Sequence, residues 1–455
     1  MDTIAAIATG NIISAIGIVR MSGNQALTVA DNVFIAANNI RLSEAKDRQM
    51  LYGKIVDTSG TLVDLCLCMV SRAPNSYTGE DTVEFYCHGS PVVLTEILSI
   101  LSSYGVRQAK AGEFTKRAFL NGRMDLLQAE SVIDLIQSET IQSAKNAAGQ
   151  LNGAISQKMT SIYDSLLEIM AHFHVVIDYP DEDIDEFQLQ NYITTIEDAK
   201  EKLNHLLDTF SRGKILKSGI PTAIVGRTNT GKSSLLNALL GYDRAIVTDI
   251  AGTTRDTIEE KILVGNVLLR LIDTAGLRET KDTVEKLGHE RTKTTIQNSE
   301  LVIVVLDGSQ ELSVEDKNIL QSIPIDIPLI ATVNKSDLPQ KLDVIELNEH
   351  NISYCMISAL TGDGLDTLND KIIKFFPDFD NIPTGEIITN SRQAEAITKA
   401  ITSLTLATEA LNDKVTPDAV LTEIEAALIA VGEVTGKTIR EDLVSKIFER
   451  FCVGK

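Results

Sequence analysis

The stretch GRTNTGKSS, Gly226 to Ser234, restricts the fold of this chain more than any other part of it. It follows the apolar run TAIV and leads into SSLLNALLG, so the pattern G-x-x-x-x-G-K-[ST] stands in the strand–loop–helix setting it requires. The glycines let backbone N–H groups close around phosphate oxygens. Lys232 supplies a point charge to the β- and γ-phosphates, Ser233 offers an oxygen to Mg²⁺, and Asn229, Thr230, Gly231 and Ser234 complete the loop. Around it, the β-rich runs TAIVG, VLLRLID, LVIVVLD, PLIATVN and SYCMIS alternate with helical segments. That rhythm predicts a parallel sheet with crossover helices. A second Gly-Lys-Thr, in GEVTGKT from Gly432 to Thr438, has its glycines too close together and no strand before it. It reads as a joint between helices.

Further motifs follow, each at the end of a predicted strand. In DTAG (Asp273, Thr274, Ala275, Gly276) the carboxylate suits the water shell of Mg²⁺ and the last N–H suits a γ-phosphate. NKSD runs from Asn334 and Lys335 to Asp337. Asp337 can accept hydrogen bonds from both the ring N–H and the exocyclic amine of guanine. Adenine offers an acceptor there and leaves the carboxylate unpaired, a mismatch worth factors of about 10⁴–10⁵. Ser358, Ala359 and Leu360, the SAL motif, fit the backbone contact to the guanine oxygen. In this order the motifs predict a GTP site. The residue after DTAG is Leu277. Many GTP-hydrolysing switches carry a glutamine there to orient the attacking water, and leucine cannot replace its hydrogen bonds.

A chain of 455 residues is too long for one core and predicts two to four domains. No apolar run reaches the ~20 residues needed to span a bilayer, so no membrane association is expected. The opening MDTIAAIATGNIISAIGIVR lacks a basic leader and reads as two strands about Gly10–Asn11. The five cysteines include no C-x-x-C pair, which fits a reducing compartment and predicts a cytoplasmic protein. A net charge of −21 argues against tight non-specific nucleic-acid binding, although a local basic patch can still hold one RNA.

Alternation in LCLCMV puts Cys66 and Cys68 on one face of a strand, as small core residues. His172 and His174, two apart, do not share a helix face, so no zinc pair is expected. The acidic DYPDEDIDE lacks the glycine and spacing of a calcium loop. From Met124 to about Arg212 the pattern is helical, SRGKILKSGIP reads as a linker, and helix resumes near Ser391 beyond FFPDFDNIPTG. The expected architecture combines α/β and all-α parts: an α/β domain over 1–118, a helical domain split into 119–215 and 377–455, and a Ras-like P-loop domain inserted over 216–376.

At TDIAGTTRD, Thr248 to Asp256, the sequence resembles a known family. GRTNTGKSSLLNALLG, AIVTDIAGTTRD and DTAGLRE are similar to the G domain of the MnmE (TrmE) family of tRNA modification GTPases. The likeness extends over the whole chain: SYTGEDTVEF, HGSPVV, GEFTKRAFLNGRMDLLQAE and IDYPDEDIDE match the family's amino-terminal and helical regions. The ending FCVGK differs conservatively from the family's Phe-Cys-Ile-Gly-Lys. Motifs outside the G domain make the resemblance specific. Thr228 departs from the proline more usual in the family's phosphate loop but removes no ligand.

The resemblance implies a substitute for the missing glutamine. A K⁺ ion beside the phosphates would be held by the side-chain oxygen of Asn229 and the carbonyls of Thr248, Ile250 and Thr253. Asp249, Ala251 and Gly252 would complete this nucleotide-contacting loop, and Thr254 would join Ser233 on Mg²⁺. Glu285 maps onto the family's catalytic position; with an ordinary pKa of ~4.3 it is a poor base at neutral pH, so it would orient the water through a bridging water. Association of two G domains would close the loops and speed hydrolysis.

The resemblance also implies a one-carbon tetrahydrofolate, 5-formyl or 5,10-methylene, in the amino-terminal domain, with Arg20, Glu84, Arg123 and Lys455 as contacts. The carbon would go to C5 of the wobble uridine, U34, of certain tRNAs, giving an aminomethyl- or carboxymethylaminomethyl-type group. The implied partners are tRNA, a second copy held through the amino-terminal region as a homodimer, and the flavoprotein MnmG (GidA) in a heterotetramer-type complex. Phe448, Phe451 and Val453 would anchor the tail, leaving Cys452 as a reactive thiol or a small buried residue. The basic clusters TKRAF and SRGKILK are sparse and do not locate a tRNA surface. The competing functions are a ribosome-assembly GTPase, which has no GXXG-type RNA module here to support it, and a scaffold that uses GTP only to change shape.

Overall fold

The computed structural model describes residues 2–10, 12–178, 186–242, 260–272, 293–376, 385–413, 415–439, 441–449 and 451–454. The chain forms two compact units: Met1–Ile133 with Gln150–Glu201 and Glu395–Lys455, and Asp134–Gly149 with Lys202–Ala394. The fold class is the expected mixture of an α/β amino-terminal sheet, long helices and a P-loop α/β sheet.

In the first unit, seven strands are β1 (Ile4–Ile7), β2 (Ser14–Ser22), β3 (Phe34–Ala36), β4 (Gln49–Val56), β5 (Leu62–Ser71), β6 (Thr82–Gly89) and β7 (Arg107–Gln108). They lie in the order β3-β4-β5-β6-β2-β1-β7. β1 and β2 pair antiparallel, as the Gly10 turn predicts. Helices Ala26–Val33 and Pro91–Ser103 supply Val29, Leu94, Ile97 and Leu101 to a core completed by Val70, Phe85, Cys66 and Cys68. The cysteines face inward, as alternation requires. The opposite sheet face leaves Ile16, Ile35, Met50, Tyr52, Leu65 and Leu67 exposed.

One charged cluster is built around a buried cation. Arg117, 3% exposed, donates to Asp2 Oδ1 at 2.8 Å, Glu80 Oε2 at 3.0 Å and Glu113 Oε1 at 3.0 Å. Arg107 also pairs with Asp2 and Glu113. Lys116 Nζ donates to Ser445 Oγ at 3.0 Å. The TKRAF cations therefore tie the unit together internally. Helix Ala154–Asp178 packs against helix Pro417–Thr435, which ends at Gly436 in the left-handed conformation (φ +88°). GEVTGKT is thus a helix end, and Lys437 sits 4.3 Å from the centre of the Tyr163 ring.

In the second unit the strands are β8 (Ile220–Val225), β9 (Glu260–Val264), β10 (Val267–Leu271), β11 (Leu301–Asp307), β12 (Leu329–Asn334) and β13 (Ser353–Met356), ordered β13-β12-β11-β8-β10-β9. Every pairing is parallel except β9 with β10, a hairpin through Gly265 (φ +58°) and Asn266 that adds an antiparallel edge to the expected parallel sheet. Along β11, Leu301, Ile303 and Val305 enter one core, while Val302, Val304 and Leu306 enter the core on the other face. A strand buried on both faces reads as a continuous apolar run.

The linker expected at SRGKILKSGIP is instead mostly helix, Phe210–Ser218. Gly213 is buried there, and a Cβ on it would lie 1.9 Å from the Ile388 carbonyl oxygen. The glycine that suggests a flexible connection permits a close backbone contact. Among the described residues, no helix is long and apolar enough to cross a membrane.

Candidate functional site

The phosphate-loop motif leaves the C-terminal end of β8, and helix Lys232–Tyr242 follows it. Gly226 (φ +150°) and Gly231 (φ +99°) adopt conformations that disfavour side chains. A Cβ would stand 2.4 Å from Val305 O at Gly226 and 2.1 Å from Asn334 Nδ2 at Gly231. Asn229 is exposed and also left-handed, at φ +63°. Lys232 Nζ donates to Gly226 O at 2.8 Å and Arg227 O at 2.7 Å, which folds the lysine back over the loop. Burial pushes its pKa down, against an opposing pull from Glu315. Ser233 is half-buried and Ser234 exposed at the start of the helix.

The structure brings NKSD and SAL to this loop. Asn334, at the end of β12, donates through Nδ2 to Thr230 O at 2.8 Å and accepts the Ala359 N–H on Oδ1 at 2.9 Å. One buried amide therefore ties NKSD to both the phosphate loop and SAL. Lys335 (φ +65°) donates to Asp307 Oδ2 at 2.6 Å. Burial would raise the Asp307 pKa, but Lys335 and Ser309 outweigh it and hold the carboxyl below its ordinary range. Asp337 is exposed, and its Oδ1 accepts from the buried Ser358 hydroxyl at 2.7 Å. Leu360, two residues after Ser358, is 85% exposed. Thr248, Asp249, Ile250, Ala251, Gly252, Thr253, Thr254, Asp273, Thr274, Ala275, Gly276 and Glu285 lie outside the described residues.

In the first unit, Arg20 on β2 and Glu84 on β6 are directly opposite in register, and Nε donates to Glu84 Oε1 at 2.6 Å. The other Glu84 oxygen accepts from the Tyr86 hydroxyl at 2.7 Å. The Arg20 guanidinium lies 5.3 Å from the Tyr77 ring centre and 5.7 Å from that of Phe114, while its Nη1 is buried without a hydrogen-bond partner. Such an orphan is costly unless something completes it. Arg123 is exposed and packs near Gly79, two residues from Tyr77. Tyr77 and Phe114 lie within the motifs SYTGEDTVEF and GEFTKRAFLNGRMDLLQAE, but their place beside Arg20 emerges only from the packing.

The tail docks on the same unit. Phe448 and Phe451 are buried with Leu126, Ile133 and Val444. Val453 is 51% exposed and anchors through its backbone, bridging to Ala111, rather than through its side chain as expected. Gly112 N donates to Cys452 O at 3.2 Å. Cys452 itself is exposed, which removes its reading as a small buried residue: its neighbours, not its own side chain, fill the apolar site. Lys455 lies outside the described residues.

Comparison with known proteins agrees with this arrangement. A family profile described as "GTP-binding protein TrmE N-terminus" matches residues 3–123, and one described as "MnmE helical domain" matches residues 126–452. The chain is 43% identical to the tRNA modification GTPase MnmE of Clostridioides difficile (strain 630), over 100% of this chain and 99% of that protein. The proteins of that name in Alkaliphilus metalliredigens (strain QYMF) and Lactobacillus helveticus (strain DPC 4571) are each 42% identical, over 100% of this chain and 99% and 98% of theirs. With its phosphate loop, NKSD and SAL gathered at the C-terminal ends of parallel strands and its similarity running from end to end, the chain is a GTPase of tRNA modification and belongs to the MnmE (TrmE) family.

Proposed function

We propose that this GTPase acts in the cytoplasm and drives addition of an aminomethyl- or carboxymethylaminomethyl-type group to C5 of U34 in certain tRNAs, with MnmG as flavoprotein partner. In this reading 1–118 binds a one-carbon tetrahydrofolate and dimerises, 119–215 and 377–455 form the helical domain, and 216–376 is the G domain. The observation that carries the folate assignment is Arg20, whose Nε pairs with Glu84 beside Tyr77 and Phe114 while its buried Nη1 is left without a partner. A pterin edge or a glutamyl carboxylate would satisfy it, with Arg123 and Lys455 as further cationic contacts. Cys452 is the accessible thiol. The exposed apolar row on the same sheet face, including Tyr52 and Leu67, suits pairing with a second copy.

Nucleoside mass spectrometry tests this reading. In a deletion strain, the wild-type gene should restore the C5 modification and an Arg20→Ala gene should not. Full modification with Arg20→Ala would remove the folate assignment.

In the G domain, Asn229 through Ser234, Thr248 through Thr254, Asp273 through Gly276, Asn334, Lys335, Asp337 and Ser358 through Leu360 would surround GTP. Ser233 and Thr254 would hold Mg²⁺. The K⁺ ligands would be Asn229, Thr248, Ile250 and Thr253, supplying positive charge to the phosphoryl transition state. The exposed, left-handed Asn229 is the described member of that set and suits an outward-facing ligand. Glu285 would orient the attacking water in place of the glutamine absent at Leu277. Hydrolysis should be faster in K⁺ than in Na⁺ and should rise with protein concentration as G domains associate; equal rates in both salts would remove the ion from the mechanism. Glu285→Ala should lower turnover about a hundredfold with GTP affinity unchanged, and equal weakening of affinity would make Glu285 a binding residue instead.

A further inference from the structure

Arg227 occupies one of the variable positions of the phosphate-loop motif, and the pattern gives its side chain no role. Its carbonyl oxygen accepts Lys232 Nζ at 2.7 Å and Thr230 Oγ1 at 3.0 Å, so it holds the loop's lysine. Its side chain points elsewhere, and Nε donates to Asp316 at 2.9 Å. Asp316, 2% exposed, lies in the first turn of helix Val314–Gln321. It forms a reciprocal cap with Ser313: Asp316 N donates to Ser313 Oγ at 3.2 Å, and Asp316 Oδ2 accepts from Ser313 N at 3.1 Å and Oγ at 2.7 Å.

A helix cap needs only a short polar side chain and works at the surface. A buried carboxylate is expensive without a counter-charge, and Arg227 provides one across 89 residues of sequence. The loop is thus fastened by the residue whose carbonyl seats its lysine. Glu315, in the same helical turn, opposes the loss of charge that burial imposes on Lys232.

We propose that Arg227 and Asp316 are positioning residues for the nucleotide phosphates, their ion pair holding the phosphate loop in its phosphate-accepting form before GTP arrives. The inference rests on the assignment of Gly226–Ser234 as the phosphate loop. Without the pair, the loop must be ordered at the expense of binding energy. GTP and GDP share the phosphates this loop cradles, so both should weaken together.

The experiment compares full-length wild type with Arg227→Ala, Asp316→Asn and their double variant, by equilibrium binding of fluorescent GTP and GDP analogues and by steady-state hydrolysis. Asp316→Asn keeps an acceptor for Ser313 while losing the charge. Each single variant should weaken both nucleotides about tenfold, and the double should weaken them no further, because the two changes remove one interaction. KM should rise while kcat stays within about twofold of wild type. Arg227→Lys should recover part of the affinity, since lysine restores charge without the planar fork. Wild-type affinity in Asp316→Asn, additive losses in the double variant, or a fall in kcat at constant KM would overturn the proposal. Lys232→Ala separates the two levels: wild-type binding in that variant would discredit the phosphate-loop assignment itself. Lost binding there with unaffected Arg227→Ala and Asp316→Asn would discredit only the ion pair.

Discussion

Asp337→Asn is expected to weaken GTP by about 10⁴-fold and to make xanthosine triphosphate the preferred nucleotide. A carboxylate presents acceptors to the ring N–H and exocyclic amine of guanine. An asparagine presents one acceptor and one amide donor, so one guanine donor faces another donor. Xanthine carries an oxygen where guanine carries the amine, and it matches the amide at both atoms. The Ser358 hydroxyl, which donates to Asp337 Oδ1 at 2.7 Å, can still donate to the asparagine oxygen, so the loop is retained. Competition binding with both nucleotides measures the exchange. Undiminished GTP affinity would mean that Asp337 does not read the base.

Arg117→Met should destabilise the first unit by about 3 kcal/mol, the low end of the range for breaking a buried ion pair. The low end applies because Arg117, Glu80 and Glu113 are largely covered while Asp2 and Arg107 reach solvent. Arg107 still reaches Asp2 and Glu113, but Glu80 loses its paired cation. The same cluster sets an acid dependence. Burial tends to raise the Glu113 pKa, yet Arg107, the Lys110 N–H and Arg117 bring it down to about 2, from 4.5. Asp2 is held at about 2 chiefly by its Arg107 hydrogen bond, against an ordinary 3.8. Both carboxyls are depressed in the folded state. Their contribution is therefore complete above the ordinary carboxylate range and is lost as pH falls from about 4.5 towards about 2. Melts followed by circular dichroism suit a chain with no tryptophan. They should show a steep acid loss in wild type and a shallower one in the variant; superimposable melts at neutral pH would show that Arg117 does not support the unit.

Much of the second unit was legible in the sequence because its signals are short-range. Apolar runs ending in Gly, Asn-Lys or Ser-Ala define β8, β12 and β13 with the loops after them, and doubly buried strands cannot hide their composition. β9 was harder to see, since EKILV is half-exposed at a sheet edge. SRGKILKSGIP misled for the opposite reason: a glycine that permits a turn also permits a helix to approach a backbone, and only the neighbour at Ile388 distinguishes the two. Resemblance singled out Arg20 and Glu84, but their opposition across β2 and β6 follows from register.

The sequence by itself determined the order of strand, loop and helix, the chemistry offered to phosphate and guanine, and membership of the family, because each resides in residues that are neighbours along the chain. Only the tertiary structure decided that Asn334 joins the phosphate loop to SAL, that Arg227 reaches Asp316, and that the Arg20 guanidinium is left one hydrogen bond short. Those outcomes depend on sheet register and on which buried groups meet a partner, and both are settled by packing among residues far apart in sequence.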